Sequence, residues 1–304
     1  MASELVAVLI AVSDDRPMVL TLGAGRHLPA GPLEAGHRSL QTGLRLWVER
    51  QTGHVLGHVE QLYTFADAPG ADAPGADTPG VDAPADRTIL ISYLALTRID
   101  RDEPGWRDWY AYFPWEDQRA PEGRALVARI AARLADWARQ GPPALREPRS
   151  QRIALTFGLE GLGWDDELVL QRYELLWEAG MVPESAPPGG AVVPGLGMAG
   201  DSRRILATAM ARLRAKIRYR PVIFELMPDS FTLLHLQRTV EAVAGQAMHK
   251  QNFRRLITQQ DLVEETADFA PETRGRPARL FRFRREVIGA RRITGSKLPL
   301  SPLR

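Results

Sequence analysis

FTLLHLQRTVEAVAGQAMHKQNFRRLITQQDLVEET, residues 231–266, decides the fold of the C-terminal part of this 304-residue chain. Thr232 precedes a run in which Leu233, Leu236, Val240 and Val243 recur at helical spacing, and Gly245 ends it, so a capped helix is predicted over 233–244. A second helix is predicted over 249–259, with Phe253, Leu256 and Ile257 on one stripe. At about 100° per residue, Gln251, Arg254, Arg255 and Thr258 then face the other way. Two short helices joined by a tight turn, the second carrying long hydrogen-bonding side chains outward, suit a DNA major groove. Residues 262–266 and 279–283 alternate apolar and polar as strands do, around a loop holding Thr273, Arg274, Gly275, Arg276 and Pro277. The order helix, helix, strand, loop, strand predicts a winged helix-turn-helix.

Charge supports that reading. The chain carries 39 basic and 37 acidic side chains, a formal +2, but they are divided unevenly. Residues 201–304 hold 21 basic and 10 acidic groups, a net +11, which leaves 18 and 27, a net −9, for residues 1–200. A basic module behind an acidic one is the footprint of nucleic-acid binding, because each cation that displaces a condensed counterion adds affinity. Lys250, Gln251, Asn252, Arg254, Arg255 and Thr258 are the candidates for base edges and phosphates of double-stranded operator DNA. Arg274 and Arg276 are the candidates on the wing, where a guanidinium fork reaches a phosphate or a minor groove. A winged helix can also serve as a protein-interaction or RNA-binding module.

Composition excludes other chemistry. With no cysteine, disulfides, cysteine-ligated zinc or iron–sulfur sites and thiol catalysis are ruled out, and six histidines leave little for metals. The apolar run 5–12 has Glu4 and Asp14 at its ends instead of a basic flank, and falls well short of the ~20 residues of a membrane span. A cytoplasmic protein is expected.

In the N-terminal part, 5–12 and 17–22 read as strands joined by a Ser-Asp-Asp-Arg turn. Residues 39–51 read as an amphipathic helix with Ser39 as N-cap and Gly53 past its end. Further strands are predicted over 55–65, 88–97 and 109–113, and helices over 123–139, 165–179 and 202–217, with a break at 142–148. Residues 67–86, DAPGADAPGADTPGVDAPAD, present no apolar face and read as a disordered insert, while 183–200 is a Pro/Gly-rich linker. The division expected is 1–200 for an N-terminal domain and 201–304 for a connecting helix with the winged helix.

The segments FTLLHLQRTVEAVAG, HKQNFRRLI, LVEET and RGRPARLFRF, preceded by ARLRAKIRYRP, resemble the winged-helix half of the Nudix-related transcriptional regulators of NAD metabolism, the NrtR family. The resemblance covers about residues 203–285. It implies an α+β chain: an N-terminal Nudix-like α/β/α sandwich with a mixed sheet, followed by the winged helix. A Nudix helix follows the pattern Gly, five residues, Glu, seven residues, Arg-Glu-apolar-any-Glu-Glu-any-Gly, and LPAGPLEAGHRSLQTGLRLWVERQTG at 28–53 resembles it. Aligned on Gly31, His37 replaces the first glutamate, Arg45 is retained, and Leu46, Glu49 and Arg50 fill the later acidic positions. Aligned on Gly53, Trp47, Arg50 and Gln51 replace all three acids. One carboxylate at most survives, too few to hold Mg²⁺ against a diphosphate. Glu34, Glu60 and Glu116 remain as carboxylates for an unconventional metal site, although no metal is expected. VEQLYTF, ISYLALTR and WYAYFPWED resemble the alphaproteobacterial, NadQ-like branch more than the ADP-ribose-sensing one.

The resemblance implies a repressor whose DNA affinity responds to an adenine nucleotide: ATP, NAD or ADP-ribose. Adenine needs an aromatic or apolar slot and a diphosphate needs cations. Gln61, Tyr63, Arg98, Tyr112 and Trp115, with Arg26, Arg38 and Arg45, are the candidates for that site. A homodimer is expected because two recognition helices about one turn of DNA apart read a palindrome. Two other readings stay open. One is a Nudix hydrolase of ADP-ribose or NADH with an accessory interaction domain, and the other a constitutive DNA binder whose first half only dimerises.

Overall fold

The computed structural model describes residues 2–34, 36, 38–54, 56–65, 88–99, 103–270 and 277–284. The 67–86 insert, His37, Arg274 and Arg276 therefore lie outside the described residues.

Strand β1 (Ala2–Ser13) is the centre of the N-terminal sheet. Its sequence is apolar at consecutive positions because both of its faces are covered. Leu5, Ala7 and Leu9 point to one side and Val6, Val8 and Ile10 to the other, and all six are buried. Asp14 and Asp15 both take positive φ, 49° and 58°, the geometry of a two-residue hairpin turn that aspartate tolerates better than most residues. The turn returns the chain as β2 (Arg16–Leu20), antiparallel to β1. The short β3 (Ala30–Pro32) also pairs antiparallel with β1, β5 (Thr88–Leu96) runs parallel to it, β4 (His58–Phe65) flanks β5, and β6 (Trp106–Asp108) flanks β2. The sheet is thus mixed, in the order β4-β5-β1-β2-β6.

Helix α1 (Leu40–Thr52) covers one face through Leu44 and Val48, which join Leu5, Leu9 and Tyr93. Its ends follow the expectation: the Ser39 hydroxyl accepts from Thr42 N at 3.1 Å, and Gly53 leaves the helix with φ 74°. The opposite face is covered by α5 (Ser202–Tyr219), which packs on β1, β4 and β5 and also on the winged helix. Consequently one apolar core runs from Val6 and Val8 through Ile205, Leu213 and Ile217 to Val240 and Ile257. Helices α2 (Pro121–Gln140), α3 (Pro143–Phe157) and α4 (Val169–Glu178) complete it. The layers are those of an α/β/α sandwich.

Two local expectations are corrected. Residues 109–113 are not a strand. The Asp108 carboxylate accepts from Tyr110 N at 2.8 Å and bends the chain into two tight helical turns, Trp109–Ala111 and Pro114–Glu116. A strand would turn alternate aromatics outward, whereas these turns bury Trp109, Tyr110, Tyr112, Phe113 and Trp115 together. The break at 142–148 is instead the start of α3. Pro143 stands in its first turn, where no N–H is needed, and Pro148 forfeits a single ladder bond farther along. The 183–200 segment is bonded to the N-terminal module, with Leu196 N donating to Ala111 O and Ala199 N to Arg26 O, both at 2.8 Å.

The C-terminal elements match their predicted pattern closely. Helix α6 (Leu233–Ala244) begins with the Thr232 hydroxyl accepting from His235 N at 3.1 Å and ends at Gly245, φ 71°. After it come α7 (Lys250–Gln259), β7 (Val263–Phe269) and β8 (Arg279–Phe283), the last two antiparallel. Phe231 forms an isolated antiparallel bridge with Phe281 of β8, and the Phe224 and Phe283 rings stack at 4.1 Å. Leu236, Val240, Val243, Phe253, Ile257 and Leu262 form the buried interior.

Candidate nucleic-acid interface and ligand face

On α7 the inward residues are Phe253 and Ile257, fully buried, and Leu256, half-buried. Lys250, Gln251, Asn252, Arg254, Arg255 and Thr258 are all exposed. The division follows from the period of the sequence, since every apolar position is taken by the core and the long polar side chains have only solvent to enter. Lys250, Arg254 and Arg255 have no ion-pair partner among the described residues. The wing strands differ. Arg279 pairs with Glu265, Arg282 with Glu264, and Arg284 with Asp261. Their charges are neutralised within the sheet, so the unopposed positive charge of the described winged helix sits on α7. Arg238 of α6, not singled out by its sequence, pairs with Asp15 of the β1–β2 turn at 3.3 Å.

The ligand candidates are not gathered in one place. Tyr112 and Trp115 are fully buried, the former donating its hydroxyl to Gly25 O at 2.6 Å and the latter packed edge-on against Phe113. They are core aromatics, not an open adenine slot, because the tight turns at 109–116 direct them inward. Arg45 donates to the carbonyls of Leu56 and Gly57, so its guanidinium braces the chain after α1. Arg98 meets Asp229 at 3.2 Å. Arg26 and Arg38 are exposed, as are Gln61 and Tyr63 on the edge strand β4, with Tyr63 against Phe65 in a T-shaped contact.

Helix α1 does not fit a Mg²⁺ cage. The Trp47 indole donates to Pro32 O at 2.9 Å and Gln51 donates to Ala30 O at 2.7 Å, so both side chains pin α1 to β3. Trp47 lies so close over Gly31 that a Cβ there would overlap its ring. Two positions that would carry acids in the alignment on Gly53 thus serve as struts. Glu49 and Arg50 face solvent, with the Arg50 guanidinium 5.9 Å from the Trp47 ring. The other carboxylates are engaged elsewhere: Glu60 pairs with Lys216, and Glu116 is buried between two arginines. Among the described residues no three His, Asp or Glu side chains converge as metal ligands do.

The group around Glu116 was not foreseen as a unit. Arg172 donates from Nε and Nη2 to its two carboxylate oxygens at 2.6 and 2.9 Å, and Arg214 Nη1 to Oε2 at 2.7 Å. All three side chains are 0% exposed. Burial opposes charge on Glu116, but Arg172 and Arg214 outweigh it and hold the carboxyl below its ordinary range. The partners stand 56 and 98 residues away, so no local spacing announces them.

Residues 223–283 match the NrtR DNA-binding winged helix domain. The chain is also 41% identical over 88 residues to the ADPR responsive transcriptional repressor NtrR of Acinetobacter baylyi, a match covering 29% of this chain and 35% of that protein. It therefore spans about a third of that relative's length. Over 93% of this chain and 94% of the other, the fold follows the crystal structure of Shewanella oneidensis NrtR, with TM-score 0.52 and 18% identity. A MutT/nudix family protein from Enterococcus faecalis aligns over 93% of this chain and 86% of that one, with TM-score 0.48 and 14% identity. Among the described residues no helix is long and apolar enough to cross a membrane.

Proposed function

We propose that the protein is a cytoplasmic transcriptional repressor of NAD biosynthesis genes, which reads operator DNA through its winged helix and responds to an adenine nucleotide held by its Nudix-like module. The observation that carries the reading is α7, whose cations are exposed and unopposed while those of the wing strands are paired within the sheet. Lys250, Gln251, Asn252, Arg254, Arg255 and Thr258 enter the major groove, and Arg274 and Arg276 reach from the wing. ADP-ribose is the preferred effector over ATP and NAD, given the name of the A. baylyi relative. Arg26, Arg38, Gln61, Tyr63 and Arg98 are the remaining ligand candidates. The module binds its nucleotide without hydrolysing it, because Trp47 and Gln51 stand bonded to backbone where a carboxylate cage is needed. The working form is a homodimer on a palindrome. Its ligand acts by favouring one arrangement of the two modules over another, since an effector of equal affinity for both shifts nothing.

The test is a fluorescence-anisotropy titration on the promoter of a quinolinate-forming operon, repeated with ADP-ribose, NAD and ATP, with light scattering to count chains. Specific binding that changes with ADP-ribose is expected. Equal affinity for operator and scrambled DNA would remove the reading. Mg²⁺-dependent turnover of ADP-ribose that is lost in Glu49→Gln would favour the hydrolase instead.

A further inference from the structure

The turn between α6 and α7 is held by groups from outside the winged helix. A helix leaves its last carbonyls without partners, and those of α6 are distributed in an unusual way. Glu241 O accepts from Gly245 N at 2.9 Å, within the domain. Ala242 O accepts from the Tyr110 hydroxyl at 2.7 Å, Val243 O from Arg214 Nε at 3.0 Å, and Gly245 O from Gln118 N at 2.7 Å. The turn is pressed against its neighbours as well. A Cβ on Gly245 would overlap the Glu116 carbonyl oxygen and come within 2.8 Å of the Tyr110 hydroxyl and 2.9 Å of Arg214 Nη2.

Arg214 is itself locked. Besides Glu116 it donates to Asp166 O at 3.1 Å, and Glu116 is shared with Arg172, whose Nη1 donates to Thr156 O at 2.8 Å and Asp165 O at 2.9 Å. Buried ion pairs of this kind resist small displacements, because parting one charge leaves the other desolvated. The 110–118 segment is tied at its other side to the N-terminal loop carrying Arg26: Tyr112 donates to Gly25 O at 2.6 Å, and the 196–199 stretch bridges Ala111 O and Arg26 O.

We propose that Tyr110 and Glu116, acting through Arg214, are positioning residues for DNA reading: they set the angle at which α7 meets the groove from within the ligand-sensing module. This rests on the repressor reading above and adds the residues that make α7 answer to the first module. Movement of the 110–118 segment displaces the turn, and the turn carries α7 with it.

The test uses the full chain, whose lack of cysteine allows spin labels at Gln41→Cys on α1 and Gln259→Cys on α7, both exposed, diluted with unlabelled chain. Tyr110→Phe removes one hydroxyl and Glu116→Gln one charge. In a folded Tyr110→Phe, shown by wild-type near-ultraviolet circular dichroism, the label-to-label distance distribution is expected to broaden or shift. Operator Kd is expected to rise about tenfold, while ADP-ribose Kd stays as in wild type. A purely structural role would lower Tm and leave both distance and operator Kd alone. An unchanged distance distribution, or an unchanged operator Kd, overturns the proposal. If wild type binds no operator the repressor reading falls, and the distance measurement alone still decides this one. If Glu116→Gln does not fold, Tyr110→Phe carries the test.

Discussion

Gly53 and Gly245 form a matched pair. Each terminates a helix in the left-handed region, with φ 74° and 71°, so alanine at either meets the same backbone penalty of about 1–2 kcal/mol. Their surroundings differ: a Cβ at Gly53 meets nothing within 4 Å, whereas one at Gly245 collides with the 110–118 segment and Arg214. To relieve that overlap the turn must retreat, lengthening the Gln118-to-Gly245 bond and those from Tyr110 and Arg214. Loss of two or three such buried bonds, at about 1 kcal/mol each, adds roughly 2–3 kcal/mol. Gly53→Ala is therefore expected to cost about 1–2 kcal/mol and Gly245→Ala about 3–5 kcal/mol. Equilibrium unfolding in urea with a common m-value measures the difference. Equal losses for the two variants would refute the claim that the α6–α7 turn is clamped by the first module.

Arg255→Ala should weaken operator binding and flatten its salt dependence by about one unit of log–log slope, as loss of one phosphate contact does; identical slopes would take Arg255 off the DNA. Gln51→Glu, which returns an acid to α1, removes the donor to Ala30 O and faces that carbonyl with a carboxylate, so a loss of about 1–2 kcal/mol in urea unfolding is expected. The Glu116 carboxyl, held below its unfolded value of 4.5, contributes stability that is fully present above that pH and declines as pH falls below it. Unfolding free energies measured from pH 7 down to 3 should therefore fall less steeply in Glu116→Gln than in wild type.

Punctuation residues made much of the fold legible. Ser39 and Gly53 bound α1, Thr232 and Gly245 bound α6, and the structure places caps at all four. The faces of α7 followed equally well, because 3.6 residues per turn put Phe253 and Ile257 on one stripe and rotate Arg254 and Arg255 away from it. Where several aromatics stand in a row the pattern is ambiguous, and at 109–113 the deciding force was a side-chain bond from Asp108 rather than strand propensity. Prolines at 142, 143 and 148 concealed α3, because their cost depends on the turn of the helix in which they fall. The ligand face was the least readable part. Whether Tyr112 lines a slot or fills a core depends on Gly25, 87 residues away, and whether Arg45 is available to a phosphate depends on two carbonyls beyond the helix end.

Helix α5 serves two masters. Ile205 and Leu213 belong to the same apolar mass as the sheet, and Arg214, one residue on, reaches the α6–α7 turn. A cut at residue 200 would therefore not free an independent reading head. The fragment beginning there would expose the sheet-facing stripe of α5 to water and leave a guanidinium without its carboxylate, and the severed sheet would lose its lid. Chimeras that exchange only the winged helix against a foreign sensor should aggregate or misfold, whereas grafts that carry α5 together with 110–118 keep the joint intact.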